Sequence, residues 1–412
     1  MKRIIAVLML FALCFVPVFA NGQQESKDSG VKTIQWFSPN WDEEESRALI
    51  KQFESENPDI KVELVVTEWE SYKTKAITAL SSKNSPELFS VLLTDVNGFQ
   101  NKGLVAPLKD LTTKAGLDWN DILVKATDIV SVNNEPYALP FRYDGNAVYY
   151  NKAILREYGF DSFPETYQEL DKLHQAIKAG GKYVSTGWGF GDAAGVTQRL
   201  AQQLYSFDGD FFNEDYTKCL IDSPEAKKTM NFLVDTYKKG YALSNSVECN
   251  GTTLRNSFGG GDIAYYMAGP FDIPVITESF PNIELGTALL PGDNHVGVTT
   301  ADGWCVVLGQ NAKNKEEAAK FLAFLARPEN QAYITDTFPA SYEAMKDPKF
   351  SSELLKPFAD QLEYSKPAPT YERWAEIEPI IFTYVQDAMS GHLSADAACE
   401  KMKKDIDQML GI

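Results

Sequence analysis

The chain has 412 residues, 44% apolar and 23% charged, with 20 Pro and 27 Gly. This is a globular composition, too long for the ~150 residues one core usually organises, so more than one lobe is expected. Asp and Glu number 57 against 39 Lys and Arg, a net charge of −18, which excludes a protein that tracks nucleic-acid phosphates. Three His and five scattered Cys form no cluster at metal-ligand spacing, so neither a zinc site nor a cofactor is expected.

Lys2 and Arg3 precede a 15-residue apolar run, Ile4 to Val18, and Phe19-Ala20 then lead into polar sequence. Residues 1–20 read as a signal peptide cleaved after Ala20, since the run falls short of the ~20 residues that span a bilayer. Lipidation at Cys14 is the rival, disfavoured by Leu13 before it and by the apolar Phe15 to Val18 that would remain. Residues 21–30 (NGQQESKDSG) read as a flexible tether, and losing Lys2 and Arg3 makes the exported chain still more acidic. A soluble, periplasmic or extracellular monomer is expected. A Cys219–Cys249 disulfide is possible in that compartment, although spacing does not establish it.

Thr33 to Phe37 reads as a buried strand. Asp42 and Glu45 have capping-box spacing before a helix that carries Leu49, Ile50 and Phe53 and stops at Asn57-Pro58. Strands at Ile60 to Val66 and Leu88 to Leu93 alternate with helices from Ser71 to Leu80 and after Asp95, the pattern of a parallel sheet with helical crossovers. Asn146 to Tyr150 opens a second sheet. Helices follow at Thr166 to Ala179, with a Thr166/Glu169 capping box, and from Ser223-Pro224 to Lys239-Gly240. Further strands are expected at Ile263 to Met267, Ile283 to Leu289 and Gly303 to Leu308, and amphipathic helices from Lys315 and from Pro379. No Gly/Ser/Pro-rich linker separates two halves, so the chain is expected to cross between lobes more than once.

Motifs of catalysis are scarce: there is no G-x-S-x-G, H-E-x-x-H or P-loop, and His174, His295 and His392 lie far apart. Aromatic residues beside polar ones recur instead, in Trp36…Asn40-Trp41, Phe141-Arg-Tyr-Asp144, Gly269-Pro-Phe271-Asp272, Asp302-Gly-Trp304 and Tyr371-Glu-Arg-Trp374. Sugars offer apolar C–H faces and hydroxyl edges, which aromatic platforms and carboxylates suit. Trp36, inside a strand, is assigned to the core, and Trp41, just past its end, to a site, because ligands of open α/β sheets sit beyond the carboxyl ends of strands. A paired-carboxylate hydrolase is the alternative from another class.

These motifs, taken in order with Phe53-Glu-Ser-Glu-Asn-Pro-Asp-Ile-Lys-Val, Leu139 to Lys152, Phe163 to Leu170 and Lys315 to Leu325, resemble the sugar-type extracellular solute-binding proteins of ABC importers over about residues 33 to 410. The resemblance implies a two-lobed α/β type II periplasmic-binding-protein fold, each lobe a mainly parallel sheet flanked by helices. Lobe I would comprise 31–142 and 284–328, and lobe II 143–283 and 329–412. It implies a receptor, not an enzyme, that binds a mono- or oligosaccharide in the inter-lobe cleft and delivers it to permease subunits. Carried over residue by residue, the site would hold Ser38, Asn40, Trp41, Asp95, Arg142 and Asp144, with Asp192, Phe271, Asp302, Gly303, Trp304 and Trp374 completing it. Phe271 stands where Trp is usual and Asp302 where Gly is common, and Arg142 or Arg373 is either a site arginine suited to an acidic sugar or a surface ion-pair residue, so the sugar's identity and charge stay open.

Overall fold

The computed structural model describes residues 30–412 apart from Ala368, Thr370 and Glu372, and apart from the side chains of Trp41, Trp69, Glu70, Ser71, Lys73 and Ala375. The leader, Cys14 and residues 21–29 of the tether lie outside the described residues. Strand β1 (Lys32–Pro39) leads through α1 (Glu43–Glu56) to β2 (Ile60–Thr67), and α2 (Trp69–Leu80) leads on to β3 (Leu88–Leu92). After α3 (Val96–Asn101) and α4 (Val124–Ile129), β4 (Ala138–Gly145) runs almost directly into β5 (Ala147–Asn151). Helices α5 (Tyr167–Gly180), α6 (Ala193–Ser206) and α7 (Pro224–Lys238) precede β6 (Tyr265–Ala268), α8 (Asp272–Ser279) and β7 (Leu285–Ala288). The chain closes with β8 (Thr299–Leu308), α9 (Lys315–Leu325), α10 (Pro328–Ile334), β9 (Ser365–Pro367), α11 (Trp374–Ser390) and α12 (Ala395–Leu410), further helices, strands and turns aside.

Two sheets carry the site. The larger has six strands in the order β9-β8-β3-β1-β2, with β4 also paired to β8; the smaller is β6-β5-β7. The expected parallel crossovers are present where β1 pairs in parallel with β2 and β3. In the larger sheet β8 is also parallel to β9 but antiparallel to β3 and β4, which leaves three of its five pairings parallel; the expectation of a mainly parallel sheet fails in the smaller one, where β5 runs antiparallel to both its neighbours. The reason is topological. Helix α8 links β6 and β7 in one direction, as a crossover must, but β5 enters between them from the opposite end and reverses both pairings. Strand β7 belongs to the smaller sheet, and α10 packs on α1 and α9 beside the larger one.

Trp36 is fully buried, donates its indole N–H to Ser90 Oγ at 3.0 Å and meets Phe321 edge-on at 5.5 Å, while Phe53 meets the same ring at 4.9 Å. Contacts of this kind add ~0.5–1.5 kcal/mol each to the burial itself. Local signals place most helix ends. Thr166 Oγ accepts from Glu169 N, Ser223 Oγ accepts from Ala226 N ahead of Pro224, and Gly181 ends α5 in the left-handed region at φ 69°. Two local readings do not hold. Asp42 makes no capping hydrogen bond, and α11 begins at Trp374, so that Pro379 lies inside it. Cys219, Cys249, Cys305 and Cys399 are buried free thiols, and Cys219 and Cys249 sit in different hydrophobic clusters, so the possible disulfide between them is not formed. Among the described residues no helix is long and apolar enough to cross a membrane.

Candidate functional site

Between β4 and β5 only Asn146 intervenes; its N–H donates to Thr299 Oγ1 at 2.9 Å, pinning the point where the chain passes from one sheet to the other. On β4, Arg142 and Asp144 are two residues apart and so project to the same side of the strand. Asp144 Oδ2 accepts from Arg142 Nε and from Thr337 Oγ1 (3.1 Å), and Oδ1 accepts from the backbone N–H of Phe338 at 3.3 Å. Burial disfavours the charge on Arg142, but Asp144 together with Asp336 and Asp42 outweighs it and holds the guanidinium more firmly protonated than usual.

Asp42, at the end of the turn that follows β1, faces this cluster. Burial pushes its carboxyl up to about 7; Arg142 works the other way, and Asp336 and Glu45 add to the rise. Beyond β6 of the smaller sheet comes Phe271, which starts the turn into α8; the residue is 44% exposed, and its ring centroid is 5.8 Å from the Arg142 guanidinium carbon. The ring lies on Gly269: a Cβ there would fall 2.2 Å from Phe271 Cε1, so only glycine lets the ring rest on the backbone. The result is an aromatic face from one sheet set against a polar, net acidic group from the other.

On β8 Asp302 stands opposite Asp144 and Gly303 opposite Tyr143. Asp302 accepts from Thr94 Oγ1 (2.9 Å) and Gly303 N (2.8 Å); burial raises its carboxyl to about 6 against those bonds, with Asp95 adding to the rise. A Cβ on Gly303 would lie 2.0 Å from the Arg142 carbonyl oxygen, so the close approach of β4 to β8 requires glycine. Trp304 is buried and, with Tyr72, Ala76, Phe99 and Asp95, lines a narrow crevice.

Asn40 and Trp41 share the turn that holds Asp42. Ser38 is buried and bonded to Ser90 Oγ at 3.1 Å, and Asn40 donates to Glu68 Oε2 at 2.8 Å. Trp41 lies in the turn Asn40–Asp42, its side chain outside the described residues. Asp192 is exposed and caps α6 through Gly195 N at 2.7 Å. Trp374 packs edge-on to Phe211 at 5.1 Å, and its indole donates to Glu378 Oε1 (3.1 Å), which Thr197 Oγ1 also reaches (3.2 Å). Arg373 pairs with Glu376 at 2.7 Å and donates to the Met409 carbonyl at the end of α12. Sequence reasoning missed Asp42, Asp336, Thr337 and Gly269. Asp42 was in view, but its spacing to Glu45 assigned it to a cap. Among the described residues no group of three His, Cys, Asp or Glu side chains is arranged to hold a metal.

The model of the bacterial extracellular solute-binding protein family matches residues 40–332 of the chain. A binding protein of Brucella abortus is 26% identical over 87% of this chain and 88% of its own. The diacetylchitobiose-binding protein DasA of Streptomyces coelicolor is 26% identical over 85% of this chain and 83% of its own. Among solved structures, the sugar-binding protein MalE of Xanthomonas citri superposes with a TM-score of 0.81 at 22% identity, covering 92% of this chain and 97% of that one.

Proposed function

Because the chain belongs to the bacterial extracellular solute-binding proteins, we propose that it is the capture subunit of an ABC importer. In this reading it takes a mono- or oligosaccharide between its lobes and presents it to membrane permease subunits. The observation that carries the reading is the exposed Phe271, in the turn after β6, set against Arg142 and Asp144 of β4, with Asp42 in the turn after β1. An aromatic face and hydrogen-bonding carboxylates are what a sugar's two kinds of surface require. DasA, by its name, binds a disaccharide, which supports the same class of solute.

The larger sheet with α1, α9 and α10 forms lobe I in this reading, and the smaller sheet with α5 to α8, α11 and α12 forms lobe II, joined at Asn146, between β7 and β8, and before α11. Ligand favours closure only by the extra contacts it makes when both lobes reach it. The receptor acts as an exported monomer, its leader being residues 1–20, and nucleic acid is not a partner. The hydrolase alternative is withdrawn, because the family is one of binding proteins. Thermal shift against a panel of mono- and oligosaccharides, with product analysis on the same samples, tests the proposal. One-to-one stabilisation without cleavage supports it, and turnover or the absence of any saccharide binding overturns it.

A further inference from the structure

Most of the strongly buried charges in this protein are answered by a neighbour. Asp272, 3% exposed, accepts from Arg255 at 2.7 Å on one oxygen and from the Tyr266 hydroxyl at 2.8 Å on the other, and Arg142 has Asp144. Arg199 is the exception. It stands in the second turn of α6, 6% exposed, and among the described residues its one hydrogen bond runs from Nη1 to Oε1 of its own neighbour Gln198, at 2.6 Å. It forms no ion pair there. Burial pulls its pKa down, and Asp272, Tyr266 and Asp192 oppose that only through longer-range attraction.

Helix geometry places the side chain. Gln203, one turn further along α6, donates to Met267 Sδ at 3.7 Å on β6, so Arg199 lies on the helix face that packs against β6, the strand that leads into the Phe271 turn. Two residues earlier on the helix, Thr197 is bonded to Glu378, the partner of the Trp374 indole. Arg199 Nε and Nη2 are not among the buried nitrogens left without a partner, so the rest of the guanidinium edge is open and available to a bound molecule.

We propose that Arg199 reads the solute, its remaining N–H groups donating to an adjacent pair of acceptor oxygens. This rests on the receptor reading above. Two ligand groups share that chemistry, the carboxylate of a sugar acid and two neighbouring hydroxyls of a neutral sugar, and both match the planar fork of a guanidinium.

The test uses the full exported chain with Arg199→Met and Arg199→Lys. Calorimetry is run with glucose against glucuronate, galactose against galacturonate, and the corresponding disaccharides, and melting is followed without ligand. Arg199→Met is expected to melt at or above the wild-type temperature while affinity for the best ligand falls at least tenfold. Arg199→Lys keeps the charge, loses the fork and is expected to fall as well. Loss confined to the acid of a pair assigns the carboxylate, and loss on the neutral member assigns the hydroxyls. A variant that melts lower than wild type yet binds with unchanged affinity per folded molecule overturns the proposal and makes Arg199 structural. A wild type that binds none of the panel overturns the receptor reading instead; the melting arm then decides Arg199 alone, a rise keeping it an uncompensated charge and a fall refuting that.

Discussion

Replacing Asp144 by alanine removes three acceptor contacts at once: those from Arg142 Nε, from Thr337 Oγ1 at 3.1 Å and from Phe338 N at 3.3 Å. The Arg142 and Asp144 side chains are 13% and 12% exposed, so water replaces little of what is lost. Removing one member of a buried pair costs about 3–5 kcal/mol, and a single hydrogen bond to a charged group about 1.5–3 kcal/mol. Two of the three bonds are long, and Asp336 and Asp42 still face the guanidinium, which puts the loss near the lower end, about 3 kcal/mol. Urea unfolding of the unliganded protein should show a lower midpoint at unchanged slope. The double variant Arg142→Met/Asp144→Ala should regain at least half of the loss, because no orphaned cation is left. A wild-type midpoint for Asp144→Ala would refute this account, as would a double variant that simply adds the two single effects.

Asp302 is carried from 3.8 to about 6 by folding, so its contribution to stability is full below the lower value and lost as pH rises through the upper one. Asp302→Asn should therefore gain on wild type by ~2–3 kcal/mol between about pH 4.5 and 8, read from urea midpoints at the two ends; a constant difference would contradict the shift. Gly269→Ala should lift the Phe271 ring and weaken saccharide binding by ~1 kcal/mol with little effect on unliganded unfolding, while unchanged calorimetric affinity would take Phe271 out of the site. Trp36→Ala should cost ~3–5 kcal/mol of folding stability through the cavity it leaves, and a variant as stable as wild type would remove Trp36 from the core. A thiol reagent should find no reactive cysteine in the native mature chain and four after unfolding; fewer would reveal a disulfide.

The elements that sequence alone reveals are those with local causes. Capping at Thr166 and Ser223, the glycine after α5 and the alternation around β1 to β3 are written into neighbouring residues, and they stand where their signals lie. What fails is what depends on distant segments. The direction of β5 is set by the chain's entry from the larger sheet, over a hundred residues before β6 arrives. Asp42 looks like a cap until Arg142 is placed beside it, about a hundred residues later in the chain. Arg142 and Phe271 could be named from the family resemblance, but Asp336 and Thr337 could not, since a loop residue that folds back onto β4 carries no periodicity. Ser38, a polar residue at a strand end, points inward and bonds the Ser90 hydroxyl, a contact with a distant strand that its own neighbours do not announce.

The place of β8 in the larger sheet has a consequence for how this molecule comes into being. Strands β3 and β4 do not pair with each other; both pair with β8, which spans Thr299–Leu308. A chain emerging N-terminus first thus exposes four strands of that sheet, two of them with unpaired edges, until roughly three quarters of its length is out. Strands β1, β2 and β3 can pair as they appear, whereas β4 waits for a strand that emerges long after it. The larger sheet cannot close until β8 is available, and until then the bare edges of β3 and β4 are open to pairing with another chain.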